Sequence, residues 1–240
     1  MRGDIFNSEN TVQPPSQAGM SLQNPYCVRY AVNGDMMARQ GAMVAYRGNL
    51  QIQTQSQGVG KFLKRAVTGE GVALMNVSGQ GEIWFADEAK NVFVVGIDSG
   101  DSVSVNGKSV LAFDSSLNYD IQMVKGAGMV GGGLFNCVFN GQGQLAVTAH
   151  GTPMVIPVSP QLPVLVDTDA VIAWSSSLQT SINRSEGFKS FMKGGSGEMF
   201  QLVLQGQGFV VVQPSEGPTV PAASSGSSGG GGIGSLLGGD

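Results

Sequence analysis

Lys61-Phe62-Leu63-Lys64-Arg65 places three cations and two large apolar side chains within five consecutive residues. Such a mixture could form one helical turn whose apolar side rests on an anionic membrane or protein surface while the cations meet its charge. The competing reading is a locally packed turn with its charges in water. The other residues of chemical interest are scattered. His150 is the single histidine, which excludes a multi-histidine metal site, and no Gly-x-Ser-x-Gly elbow accompanies it. It reads as a turn residue bonded to neighbouring backbone. Gly126-Ala127-Gly128-Met129-Val130-Gly131 matches the dinucleotide pattern formally, but no helix-forming run and no suitably spaced acid follow it. Gly58-Val59-Gly60-Lys61 lacks the first glycine of a phosphate loop at the required distance and the hydroxyl residue after its lysine. Asp87-Glu88 and the pair Asp98 and Asp101 could hold a cation weakly, but solvated loop carboxylates are the commoner case. Cys27 and Cys137 have no CxxC spacing, and Cys137 reads as a small buried hydrophobe. Cofactor, metal and catalytic residues are therefore not expected.

Composition narrows the classes further. The chain has 37 glycines in 240 residues and only 12% charged side chains, against usual values of about 7% and ~25%. Many tight turns and few helices follow, so the class is all-β with little helix. So little charge also leaves faces that favour burial against other copies of the chain. A net charge of -4 with 13 scattered Lys and Arg argues against nucleic acid as a partner. The longest apolar runs, such as Val92-Phe93-Val94-Val95, fall far short of the ~20 residues of a membrane helix. With no signal-peptide pattern at Met1–Phe6, the expected location is cytoplasmic.

The elements that must position these residues repeat. Gly79-Gln80-Gly81, Gly141-Gln142-Gly143 and Gly206-Gln207-Gly208 recur at intervals of 62 and 65 residues. Upstream, Ala45-Tyr46, Ala112-Phe113 and Ala173-Trp174 each close an apolar strand. Leu50, Leu117 and Leu178 follow four residues later, and Ile52, Ile121 and Ile182 continue the apparent match. Before each Gly-Gln-Gly the chain alternates strictly. Ala73, Met75 and Val77 match Phe135, Cys137 and Phe139, then Phe200, Leu202 and Leu204, which puts the apolar set on one sheet face. The denser runs Ile83-Trp84-Phe85, Leu145-Ala146-Val147 and Val210-Val211-Val212 predict strands buried on both faces. The Gly-Gln-Gly segments read as hairpin turns or bulges, Asn106-Gly107 as a type I′ hairpin, and Gly41 as a residue with an unusual backbone angle. Three internally repeated β-sandwich units are expected at 26–90, 91–155 and 156–213. An N-terminal arm (1–25) precedes them and a disordered Gly/Ser-rich tail (214–240) follows.

Several longer stretches carry a family resemblance: Met37 to Gly48, Leu63-Lys64-Arg65 with Thr68-Gly69-Glu70-Gly71, Gly132 to Asn136, Ala149-His150-Gly151, and Gly206 to Val210. Through them the chain resembles the altered-inheritance-of-mitochondria proteins, also called the mitochondrial biogenesis protein-like family, from about residue 4 to 213. The resemblance implies a double-stranded, β-helix-like fold similar to that of the trp RNA-binding attenuation protein, homotrimers with nine pseudo-equivalent units in a ring, and no enzymatic activity. The chain lacks an Arg-rich, acid-poor transit peptide and looks like a bacterial-type member, so the mitochondrial role is not carried over. The leading functional expectation is a non-catalytic scaffold, a homotrimeric ring recruiting a protein partner or anionic membrane surface through Lys61, Phe62, Leu63, Lys64 and Arg65. The alternative is a small-ligand binding module that uses clefts between repeats.

Overall fold

The computed structural model describes residues 3–8, 10–12, 18–54, 73–124, 134–184 and 200–215. The chain is all-β. In order the strands are β1 (Gly19–Asn24), β2 (Cys27–Arg39), β3 (Met43–Thr54), β4 (Leu74–Phe85), β5 (Asn91–Ile97), β6 (Ser102–Asn106), β7 (Val110–Asp114) and β8 (Leu117–Met123). They continue as β9 (Phe135–Gly141), β10 (Gly143–Ala149), β11 (Met154–Val158), β12 (Val164–Asp167), β13 (Val171–Ser175), β14 (Gln179–Arg184), β15 (Phe200–Gln205) and β16 (Gly208–Val212). Helix among the described residues is confined to the 3-10 turns Asp4–Phe6 and Gly107–Ser109.

Alternation in the sequence sets the faces. Met75, Val77, Cys137, Phe139, Leu202 and Leu204 are all buried, while Asn76 between the first pair and Ser78 just after it are only partly covered. Ala73 lies exposed just before β4, so the pattern starts one position later than its apolar residues indicate. Three antiparallel sheets result, with orders β3-β4-β2-β7-β10-β5, β11-β16-β13-β6-β9-β8 and β12-β15-β14. β1 adds to the first by pairing with β2, so part of the N-terminal arm is a strand, and its Met20 is buried in a core.

Register recurs along the chain. Met43 lies opposite Phe85 and Ala45 opposite Trp84; Val110 opposite Val147 and Ala112 opposite Ala146; Val171 opposite Val212 and Ala173 opposite Val211. Each pairing slips at the residue before the alanine, Val44, Leu111 or Ile172, which is the extra residue of a bulge that increases local twist. Two further pairings tie distant parts together. β2 meets β7 with Met37 opposite Phe113 and Ala38 opposite Ala112, and β6 meets β13 with Ser104 opposite Trp174 and Val105 opposite Ala173.

The turn assignments need correction. Gly79-Gln80-Gly81 lies inside β4, paired on one side to β2 and on the other to β3, so it is no hairpin. The other two copies join β9 to β10 and β15 to β16, strands that belong to different sheets. Gly79, Gly141 and Gly206 share positive φ of 118°, 110° and 126°, a conformation that side chains oppose. The motif is thus a strand bend. Asn106-Gly107 is likewise not a type I′ turn: Asn106 has φ -55°, and its side chain accepts from the Lys108 amide to cap a 3-10 turn. Its Nδ2 meanwhile donates to Val171 O at 3.0 Å. Gly41 does adopt φ 79°. Ile52 does not match the other two isoleucines in register. It faces Val77, whereas Ile121 and Ile182 face Cys137 and Leu202, which places Ile52 with Tyr119 and Thr180.

Three buried clusters form the core, and each draws residues from distant parts of the chain. Leu111, Ala112 and Ala146 pack with Tyr30, Met36, Val77 and Phe85. Ile172 and Ala173 pack with Phe113, Phe139 and Leu145, as do Met37 and Leu74 from the other side. The third cluster holds Val166, Trp174, Leu202, Leu204 and Val210. Tyr30 donates to Asp114 Oδ1 at 2.7 Å, and Asp114 Oδ2 accepts from the Gln144 amide at 2.7 Å, which pins β2 to β7 and β10. Burial, then this bond to a carboxylate, push the Tyr30 phenol well above its usual range, so it stays a donor.

Candidate functional site

The basic-apolar cluster at Lys61, Phe62, Leu63, Lys64 and Arg65 lies outside the described residues, as do both glycine-rich loops considered for nucleotides. Of the strands that end the three sheets, β3 and β12 stand out, with a charged cluster beside β3.

β7 and β13 are flanked on both sides, by β2 and β10 and by β6 and β16. β3 makes the corresponding bulged pairing to β4 but has no outer neighbour among the described residues. Its side chains record the difference. Val44 and Tyr46 are 59% and 52% exposed, while Leu111, Phe113, Ile172 and Trp174, at the corresponding places, are at most 2% exposed. β12 is the complementary case. It pairs β15 as β2 pairs β4 and β6 pairs β9, yet its other side is open, and Leu165 is 49% exposed. The sequence does not reveal the difference, because an aliphatic residue, an alanine and an aromatic residue follow one another at all three places.

Behind the β3 edge, Glu82 on β4 pairs with Arg29 of β2 and Arg47 of β3, and both guanidinium groups lie over the Trp84 ring, at 5.9 and 5.6 Å from its centroid. Trp84 Nε1 also donates to Gln23 Oε1 of β1 at 3.3 Å. Arg29 is buried and Arg47 mostly exposed, so the cluster carries one excess positive charge toward the open edge. Its signal in the sequence is Arg29, set inside the apolar run from Cys27 to Val32.

The single histidine and the two cysteines lie elsewhere in the fold. The His150 amide donates to Gln213 Oε1 at 2.9 Å, while Gln213 Nε2 donates to Asp169 O at 3.0 Å, which ties the end of β16 to two turns. Cys27 and Cys137 are free thiols; burial, and then the Asp120 charge, push Cys137 up to about 12, which makes it inert. Among the described residues no group of three or more His, Cys, Asp or Glu is placed to hold a metal. No described helix is long and apolar enough to cross a membrane.

Asp87 binds Lys90 Nζ at 2.7 Å and also pairs with Arg39. Burial acts to raise its pKa, but bonds and charge from Lys90 and Arg39 outweigh burial and hold the carboxyl below its ordinary value of 3.8. A carboxyl whose pKa is lower folded than unfolded stabilises above the unfolded value and loses that contribution as pH falls through the folded one. Urea unfolding of Asp87→Asn against the parent should therefore show a stability deficit that is full at neutral pH and shrinks steadily below 3.8. A deficit independent of pH would refute the assignment.

A family model for the mitochondrial biogenesis AIM24 proteins matches residues 27–215. The chain belongs to the mitochondrial biogenesis AIM24 family. A relative at 26% identity, over 75% of this chain and 77% of its own length, is an uncharacterized protein of Streptococcus pyogenes serotype M6. A crystal structure of a Streptococcus pyogenes protein is similar at TM-score 0.65 and 22% identity, covering 83% of this chain and 93% of that one. This likeness establishes that the AIM24 chain shares its fold.

Proposed function

We propose that the chain is a non-catalytic scaffold subunit, built from three equivalent β-sandwich units of trp RNA-binding attenuation protein type. Three chains close head to tail into a ring. The observation that supports this reading is the twice-used pairing of β2 with β7 and of β6 with β13, together with one unused edge of each kind. Extending the same register places Val166 of one chain opposite Ala45 of the next, Leu165 opposite Tyr46 and Val164 opposite Arg47. The two edges differ, so the contact is heterologous and satisfies every chain only on closure. Leu165, Val44 and Tyr46 then gain the cover that the corresponding residues already have within the chain. Native mass spectrometry of the full chain tests this: a trimer is expected, and a monomer at micromolar concentration would refute it.

Each ring would carry three copies of Lys61, Phe62, Leu63, Lys64 and Arg65, so weak contacts to an anionic membrane or protein surface add through avidity. Reversing the charges of Lys61, Lys64 and Arg65 should abolish flotation with phosphatidylserine vesicles. Flotation that survives the reversal would remove this segment from the contact surface.

A further inference from the structure

The two internal pairings have the same register but different fillings. Where β2 meets β7, Met37, Leu74 and Phe113 are packed in one cluster, with Tyr119 against Phe113 edge to face at 5.2 Å. Where β6 meets β13, the register puts Ser104 at the place of Met37, Asn136 at that of Leu74, Trp174 at that of Phe113 and Thr180 at that of Tyr119. Three large side chains are thus replaced by small or polar ones, and the change from Phe to Trp does not restore the lost bulk. A cleft of about 760 Å³ opens there, within the usual size range of small-molecule sites, roughly 300–1,000 Å³.

The lining narrows the ligand. Trp174, Leu178 and Val138 form an apolar wall, and Ser104, Asn136, Gln179 and Thr180 supply amides and hydroxyls. Ser104 and Asn136 are 3% and 5% exposed, so their polar groups lie at the floor of the cleft. Among the described residues no charged side chain lines the cleft, and these residues offer a phosphate or carboxylate no counter-charge. A carboxamide offers a donor beside an acceptor, the complement of a ring amide or imide edge.

We propose that this cleft binds a neutral, nucleobase-like heterocycle: a flat ring with adjacent amide donors and acceptors, seated against the apolar wall and bonded by Asn136 and Gln179. The cleft belongs to a single chain, so the site does not depend on ring closure and is read whatever the native mass.

Calorimetric titration of the full chain with uracil, thymine, adenine and nicotinamide tests it. Saturable binding of at least one probe is expected, with Kd at or below about 1 mM. Ser104→Met with Thr180→Tyr, which installs the residues of the other pairing, should weaken that probe at least about tenfold and raise Tm by filling the space. Asn136→Leu serves the same purpose if the double variant does not fold. No saturable probe up to ~10 mM, undiminished binding in the refilled chain, or binding of glucose but none of the bases would each overturn the proposal.

Discussion

If the proposed three-chain ring forms, Val44→Asp combined with Tyr46→Asp is expected to reduce it to single chains, read as a native mass falling to 24.8 kDa. Both side chains are more than half exposed in the isolated chain, so a carboxylate at either place faces water and costs the monomer little. In the closed ring the same positions correspond to Leu111 and Phe113, which are fully buried. Two unpaired carboxylates would have to be desolvated at each of three contacts, at several kcal/mol per ion. That exceeds what covering two half-exposed side chains can return, since full burial of one is worth about 1.5–3 kcal/mol. Val95→Asp is the control: Val95 is 41% exposed on β5, the strand at the other end of the same sheet, which the proposed contact does not use, and its variant should keep the mass of the parent. A trimer that survives the double substitution would show that another surface holds the chains together.

Gly79→Ala should lower Tm by roughly 10–20 °C, from a loss of about 3–6 kcal/mol that joins backbone strain to overpacking. Its φ of +118° disfavours any side chain, and an added Cβ would stand 2.3 Å from the carbonyl oxygen of Asn49. Neighbouring glycines separate the two causes. Gly34 has the same φ but nothing within 4 Å of an added Cβ, so Gly34→Ala carries strain alone, about 1–3 kcal/mol. Gly81 has no positive φ, yet its Cβ would meet Arg47 O at 2.3 Å, so Gly81→Ala reports the steric part. Thermal unfolding of the three variants should place Gly79→Ala lowest. Equal losses at Gly34 and Gly79 would mean that the close approach of β3 to β4 contributes nothing.

Much of this fold was legible because alternation in sequence maps directly onto the two faces of a strand. Met75 and Val77, Cys137 and Phe139, and Leu202 and Leu204 went to the core as their spacing required. Partner choice was not legible. Asn106-Gly107 carries the residues of a tight hairpin, but β6 finds its partners in β9 and β13, so distant pairing overrides the local turn preference. The Gly-Gln-Gly copies misled in the same way, since glycine marks both a turn and a close passage of two backbones. Identical residue types also hid the open edge: Tyr46 and Phe113 are interchangeable as aromatic core residues, and only the presence of β2 beside β7 makes one of them buried. The cleft was hidden because it arises from what is missing, bulk at Ser104, Asn136 and Thr180, relative to a partner pairing known only after the strands are placed. The cluster from Lys61 to Arg65 rests on sequence alone.

The buried clusters have a consequence for how the molecule unfolds. Leu111, Ala112 and Ala146 complete a core whose other members come mostly from β2 and β4, with Met20 of β1 and Val92 of β5, while Met37, Leu74, Ile172 and Ala173 enter the next one. No stretch of the chain owns all the walls of its hydrophobic interior. Opening one part strips cover from its neighbour, so partial melting is penalised twice and the described body behaves as a single cooperative block. Among the described residues, a cut between units would leave apolar faces such as those of Met37 and Ile172 without their cover.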